Sequence, residues 1–71
     1  MNEKLSFRKL NAIFHNRTEK AVLVEFPPRD ERVWVPRTLL SSLCDREIEE
    51  LKRHDEFVVH LIDWKAEELG L

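Results

Sequence analysis

Two strand-like runs on either side of a double proline constrain this chain more than any other part of its sequence. The first run is KAVLVEF (residues 20–26), the second is ERVWVPRTLL (residues 31–40), and PPRD (residues 27–30) separates them. Valines recur at every second position in both runs, which is the spacing that directs side chains to one face of a strand. Proline also fixes the backbone angle that begins a turn. The segment therefore predicts a β-hairpin.

The register of this hairpin follows from its side chains, because a shift of one residue would send the apolar face of one strand to the wrong side. With residues 27–30 as the loop, apolar side chains meet apolar ones and opposite charges pair. A loop longer by one residue would place Glu25 opposite Val33. The four predicted pairs are Val24–Val33, Val22–Val35, Leu23–Trp34 and Glu25–Arg32.

A third strand is predicted at residues 10–15, where the alternation of apolar side chains resumes. We expect it to turn through residues 16–19 and to pair with the first strand of the hairpin. The predicted core-side pairs are Leu10–Phe26, Ala12–Val24 and Phe14–Val22. The opposite face then collects a second apolar line, formed by Ile13, Leu23 and Trp34. Either a helix covers this second face or the face binds a partner.

The C-terminal half predicts a helix, a strand and a second, short helix. The first helix spans residues 42–54, begins at an S-x-x-D pattern and has about three turns. The β-branched run at residues 57–62 predicts a buried strand that joins the sheet or closes it. Asp63 is the predicted N-cap of a helix at residues 64–69, and Gly70 supplies the left-handed residue that ends it.

These elements together predict one α+β domain over residues 1–71. It consists of a small antiparallel sheet, built as a three-stranded meander plus a fourth strand, with one three-turn helix and a short C-terminal helix. A small SH3-like or OB-like barrel is the more specific version of this prediction. A chain of 71 residues with 42% hydrophobic content has the material for one small core.

Composition limits the functional classes. The 12 basic and 14 acidic side chains nearly cancel, to a net charge of −2, so no strong field of either sign favours nucleic acid or a membrane. The single glycine excludes the glycine-rich loops that bind phosphate, because their backbone must approach the ligand closely. We therefore expect no cofactor.

The sequence also predicts a compartment. The single cysteine, Cys44, has no partner for an internal disulfide, and the first ten residues lack the apolar core of a signal peptide. No run approaches the roughly 20 apolar residues that span a bilayer. We expect a soluble, cytoplasmic protein.

Three motifs occur in order along the chain: KAVLVEF (residues 20–26), VWVPRT (residues 33–38) and the terminal WKAEELGL (residues 64–71). Their combination resembles a group of small uncharacterised proteins from bacteriophages and prophages. In that group an aliphatic strand, a W-[IV]-P-[KR]-[ST] segment and a closing W-x-A-x-x-x-G-L recur. The long charged helix predicted at residues 42–54 departs from the pattern. The resemblance implies a phage or mobile-element source and the cytoplasm of a host cell, and it supplies no catalytic residue.

Candidate catalytic and metal-binding residues lack the spacing that their chemistry needs. The conventional ligands for soft or borderline metals are His15, His54, His60 and Cys44. None of them forms a pair such as C-x-x-C or H-x-x-x-H, so we predict structural roles and no metal site. Helix capping is predicted for Ser41 and Ser42. We expect no enzymatic activity; an enzyme would need a cleft in which His60 lies within hydrogen-bond range of a serine or of Cys44.

Tryptophan and arginine supply the candidate partner-binding residues. Trp34 lies between two arginines in sequence, and an aromatic side chain flanked by cations stacks on a base or anchors a protein partner. A tryptophan in a strand of so small a domain is more often part of the core, and we predict core positions for both Trp34 and Trp64. The predicted contact residues are Arg17, Lys20, Arg29, Arg32, Trp34 and Arg37.

The function predicted from these features is non-enzymatic binding. We expect a phage-type accessory protein that binds a host or phage protein as an inhibitor or adaptor. The alternative is a small nucleic-acid-binding module that uses the Arg/Trp face of the hairpin, and an enzyme is the remote third hypothesis. If no helix covers the second apolar face, we expect two copies to form a homodimer through it.

Overall fold

A four-stranded antiparallel sheet and two short helices make up the structure, a computed structural model that describes residues 6–71. The strands are β1 (Phe7–Arg17), β2 (Ala21–Glu25), β3 (Arg32–Pro36) and β4 (Glu56–Ile62). The helices are α1 (Ser42–Glu47) and α2 (Asp63–Glu68), and 3-10 turns occur at Arg37–Leu39 and Ile48–Glu50. The strand order is β3-β2-β1-β4, so β3 and β4 are the edges. The predicted α+β class is confirmed.

The predicted hairpin is confirmed together with its register. All four predicted β2–β3 pairs are present, and Ala21 facing Pro36 extends them by one. Val22, Val24 and Val35 are fully buried, so the alternation of valines marks the core face of both strands as expected.

Strand β1 pairs with β2, as predicted, but the predicted register of this pair is wrong. The expected pairs Leu10–Phe26, Ala12–Val24 and Phe14–Val22 are absent, and Phe14 faces Val24 instead. The register also shifts between Phe14 and Asn16, because His15 is an extra, bulged residue. The bulge lets two consecutive side chains, Phe14 and His15, both be buried. The strand consequently runs on to Arg17 before it turns.

The first helix is much shorter than the predicted span of residues 42–54. Helix α1 ends at Glu47, one 3-10 turn follows, and a turn with His54 at a φ of 75° leads into β4. The chain leaves the helix because His54 and Asp55 already pair with β1: the His54 N–H donates to the Phe14 carbonyl, and the Phe14 N–H donates to the Asp55 carbonyl. The N-cap is Ser41, one of the two serines predicted to cap, and its hydroxyl accepts from the Cys44 N–H. The S-x-x-D pattern had placed the start of the helix at Ser42, which is the first helical residue.

Strand β4 joins the sheet, which was one of the two predicted outcomes. It lies beside β1, a position that was not predicted, over seven pairs from Phe7–Ile62 to Ile13–Glu56. The more specific barrel prediction is wrong, because the sheet is not closed. An isolated bridge between Leu40 and Leu61 brings the chain after β3 against the outer edge of β4.

The core lies between one face of the sheet and the two helices. Helix α1 contributes Cys44, the 3-10 turn after it contributes Ile48, and α2 contributes Ala66, all fully buried. The predicted cap of α2 is wrong, since Asp63 is the first helical residue and makes no capping bond. Its carboxylate instead lies 2.7 Å from Nη2 of Arg8. Gly70 does adopt the predicted left-handed conformation, with a φ of 78°.

Candidate functional site

The side of the sheet that faces away from both helices is the candidate functional surface. Along β3 the fully buried Val35 alternates with Trp34, which is 49% exposed. Along β4 the fully buried Val59 alternates with Val58, which is 42% exposed. Successive side chains of a strand point to opposite faces. Large apolar side chains therefore lie on the uncovered face.

The strand registers arrange these side chains in one line across the sheet. Trp34 lies directly opposite Leu23 on the neighbouring strand. Ile13 faces Glu25 on β2, so it is the diagonal neighbour of Leu23, two residues away. Ile13 also faces Glu56 on β4, so it is the diagonal neighbour of Val58. Side chains at such positions are within reach of each other. We call this line the outer stripe: Ile13, Leu23, Trp34 and Val58.

A polar cluster borders the outer stripe where β1 is bulged. Nε2 of the buried His15 lies 3.0 Å from Oε1 of Glu25, and the His54 ring packs edge-on against the His15 ring at 5.5 Å between centroids. The predicted cross-strand position of Glu25 and Arg32 is confirmed, but the Glu25 carboxylate contacts His15 rather than the guanidinium. A groove of about 360 Å³ runs between these side chains and Leu23. Arg32 lines it and is exposed.

Both tryptophans were predicted to be core residues, and this prediction is wrong. Trp34 is 49% exposed and Trp64 is 55% exposed. Trp34 shares its face with Arg32 and Pro36 rather than with the valines of β3. Helix α2 packs on the core through Ala66, so Trp64 is left on its solvent side.

The structure does not bring the six predicted contact residues together. Only Arg32 and Trp34 lie on the outer face. Arg29, in the hairpin loop, donates from Nη1 to the Leu69 carbonyl at 2.8 Å and from Nη2 to the Gly70 carbonyl at 2.9 Å. These bonds fasten the loop to the C-terminal end of the chain.

Arg17, Lys20 and Arg37 lie at the end of the sheet where β1 turns into β2. The Arg37 guanidinium bonds the carboxylates of Asp45 and Glu49 in the helical region. These side-chain hydrogen bonds raise the pKa of Arg37, and the bond to Asp45 has the larger effect. Arg17 donates to the Leu51 carbonyl at 3.2 Å. Lys20 is exposed in the turn. The two arginines therefore serve contacts within the protein.

Ser41 contacts the ring of His60, the serine–histidine contact that the enzyme hypothesis needs, whereas Cys44 contacts the His60 backbone. The Ser41 hydroxyl lies 3.2 Å from Nδ1 of His60, and the His60 backbone N–H donates to the Cys44 Sγ at 3.4 Å. The same hydroxyl accepts from the Cys44 N–H as the helix cap. Cys44 is fully buried, and this burial raises the pKa of its thiol.

The contacts of this cluster connect helix α1 with strand β4. A Ser–His pair acts as nucleophile and base when a third group orients the imidazole. Within residues 6–71, the side-chain hydrogen bond found for the His60 ring is the one to Ser41. The pair joins the start of α1 to β4 beside the Leu40–Leu61 bridge.

The part of the chain that the structure describes shows neither a metal cluster nor a membrane-spanning helix. Within it, no group of three or more His, Cys, Asp or Glu side chains is placed to hold a metal ion. None of its helices has the length and apolar character to cross a membrane. No protein-family model, curated protein or solved structure matches the chain. The outer stripe is the feature of this surface that most needs a functional explanation, since contiguous exposed apolar patches mark interaction sites.

Proposed function

We propose that this protein is a non-enzymatic binding module that holds another protein on its outer stripe. The observation that carries the proposal is the 49% exposure of Trp34 at the end of an apolar line that crosses all four strands. Tryptophan is among the residues that dominate the energy of protein interfaces. The proposed partner is a host or phage protein, on which this protein acts as an inhibitor or adaptor; the resemblance to phage proteins supports the source and not the activity.

The charges around the outer stripe also favour a protein partner. Arg32, Glu25 and Glu56 place both signs beside the apolar line, which is the arrangement of an interface with an apolar centre and a polar rim. Nucleic-acid binding needs a track of free basic side chains. Arg17, Arg29 and Arg37 are instead bonded to carboxylates and carbonyls of this protein.

A matched pair of exposed tryptophans allows the proposal to be tested. A photo-crosslinking amino acid is placed at position 34 in one preparation and at position 64 in another, and each is irradiated in host-cell extract. We expect a discrete crosslinked protein from position 34 and none of the same mass from position 64. Trp34→Ala in the purified pair should weaken binding at least tenfold, and Trp64→Ala should leave it unchanged. Equal binding by the two variants would refute the proposal.

Light scattering separates a foreign partner from a second copy of this chain. A dimer that appears with rising concentration and is lost in Trp34→Ala would make the outer stripe a two-fold interface between copies. A monomer at high concentration leaves the stripe free for another protein.

A further inference from the structure

The first half of β4 presents backbone groups without partners on its outer edge, which we call the free edge. The Ser41 N–H donates to the His60 carbonyl at 3.0 Å, and the His60 N–H donates to a sulfur atom outside the sheet, so the backbone of His60 points away from β1. The backbone N–H and C=O groups of successive residues in an antiparallel strand point to opposite sides. Those of Val58 and Glu56 therefore also point away from β1. Among residues 6–71, none of the backbone hydrogen bonds outside the strand ladders involves either residue.

A groove runs along this free edge. It has a volume of about 580 Å³ and separates β4 from α1 and the 3-10 turn that follows α1. Its apolar lining includes Leu43, which is 66% exposed, together with Leu51, Phe57 and Val58. Unpaired strand groups facing apolar side chains are what an added strand uses for affinity and specificity.

The charge of the groove is mostly negative. Glu47, Glu50 and Glu56 line it, against the single cation Arg46. In the described part of the chain, none of the three carboxylates takes part in an ion pair. A ligand that complements this surface carries positive charge.

We propose that an extended, basic peptide segment adds to the Glu56–Val58 edge as a fifth strand. Its backbone pairs with the outward N–H and C=O groups of these residues, its alternate side chains pack on Leu43 and Leu51, and its basic side chains lie near Glu47 and Glu50. The opposite edge of the sheet is less suited, because Pro36 removes a donor from β3. This inference rests on the proposed function, since the segment belongs to a protein partner.

The probe for this test is the peptide acetyl-KVKVKVK-amide, titrated into the full-length ¹⁵N-labelled protein. We expect the amide signals of Glu56 and Val58 to shift and their hydrogen exchange to slow. Two further peptides carry backbone N-methyl groups, one at the odd positions and one at the even positions. In one of these peptides the methyl groups replace the N–H groups that point toward β4, so it should bind about tenfold or more weakly. In the other they replace N–H groups that point to solvent, so its affinity should be unchanged.

Two charge variants complete the test. Glu50→Lys should weaken binding of the lysine peptide and favour acetyl-EVEVEVE-amide. Glu31→Lys makes the same change in net charge in the exposed hairpin loop and should alter neither peptide. Equal affinity of the two N-methylated peptides, or equal effects of the two variants, would overturn strand addition. Trp34→Ala should not change peptide affinity, so failure here is distinguishable from failure of the outer stripe.

Discussion

The guanidinium of Arg37 joins the end of β3 to helix α1 through Asp45, with 2.7 Å between Nε and Oδ1. The same side chain reaches Glu49 at 2.5 Å and donates to the Thr18 carbonyl at 3.0 Å. One residue thus connects the β1–β2 turn, the end of the hairpin and the helical region. Its side chain is only 14% exposed, so the bonds are partly shielded from water.

Arg37→Ala should lower the free energy of unfolding by about 1–3 kcal/mol, because it removes charged hydrogen bonds and leaves a carbonyl without its donor. Denaturant unfolding measures the loss. Arg32→Ala is the control, since Arg32 is exposed and its removal should cost under about 0.5 kcal/mol. Arg37→Lys should recover only part of the loss, because lysine lacks the planar fork. Equal stabilities of Arg37→Ala and Arg32→Ala would contradict this role.

Trp34 and Val35 are neighbours in sequence on opposite faces of β3, and they should respond differently to truncation. Trp34→Ala should cost under about 1 kcal/mol, because half of the side chain is already in water. Val35→Ala should cost about 1.5–3 kcal/mol, since Val35 is fully buried. Thermal and denaturant melts of both variants provide the comparison. A loss of about 3–5 kcal/mol for Trp34→Ala would instead match a buried aromatic side chain.

The hairpin was predictable because its determinants are local. Valines on both strands and a loop that starts with proline fix the register without help from the rest of the chain. The β1–β2 register was not, because the bulge at His15 depends on a distant partner, the carboxylate of Glu25. A prediction from alternating apolar residues assumes a regular strand, so it does not reveal an inserted, bulged residue.

The helix length and the position of Trp34 show two other limits. Residues 48–54 have charges spaced for a helix, yet the backbone of His54 and Asp55 gains hydrogen bonds to Phe14 in the sheet. Tertiary pairing outweighs such weak helical preferences. Trp34 lies two residues from Arg32 and therefore on the same face of β3, which indicated that its side chain is exposed. The frequency of tryptophan in small cores favoured the opposite prediction.

Nucleic acid should bind only weakly at physiological salt. The net charge is −2, and Arg17 and Arg37 are held by contacts inside the protein, so these two arginines are not free to displace counterions from phosphates. Fluorescence anisotropy with single- and double-stranded oligonucleotides checks this expectation. Submicromolar affinity that weakens steeply with added salt would favour a nucleic-acid-binding module over a protein-binding one.

Cys44 should make stability depend on alkaline pH. Burial, only partly offset by the His60 N–H that bonds the sulfur, raises the pKa of the thiol above that of a free cysteine. Between these two pKa values the unfolded chain loses the thiol proton and the folded chain keeps it, so stability falls as pH rises. Below about pH 8.5 both states keep the proton and this contribution is constant.

The measurement compares unfolding free energies of the natural protein and Cys44→Ala from pH 7 to pH 10. The natural protein should lose additional stability above about pH 8.5, with a slope difference of up to about 1.4 kcal/mol per pH unit. The alanine variant loses a buried sulfur atom and is less stable at every pH, so only the difference in slope is diagnostic. A thiol-reactive dye should also label Cys44 slowly in the native protein and rapidly in denaturant, because the side chain is fully buried. If the two proteins showed the same dependence of unfolding free energy on pH, and native Cys44 were labelled rapidly, Cys44 would be accessible to solvent. The contacts of α1 with β4 around Cys44 would then open readily in solution.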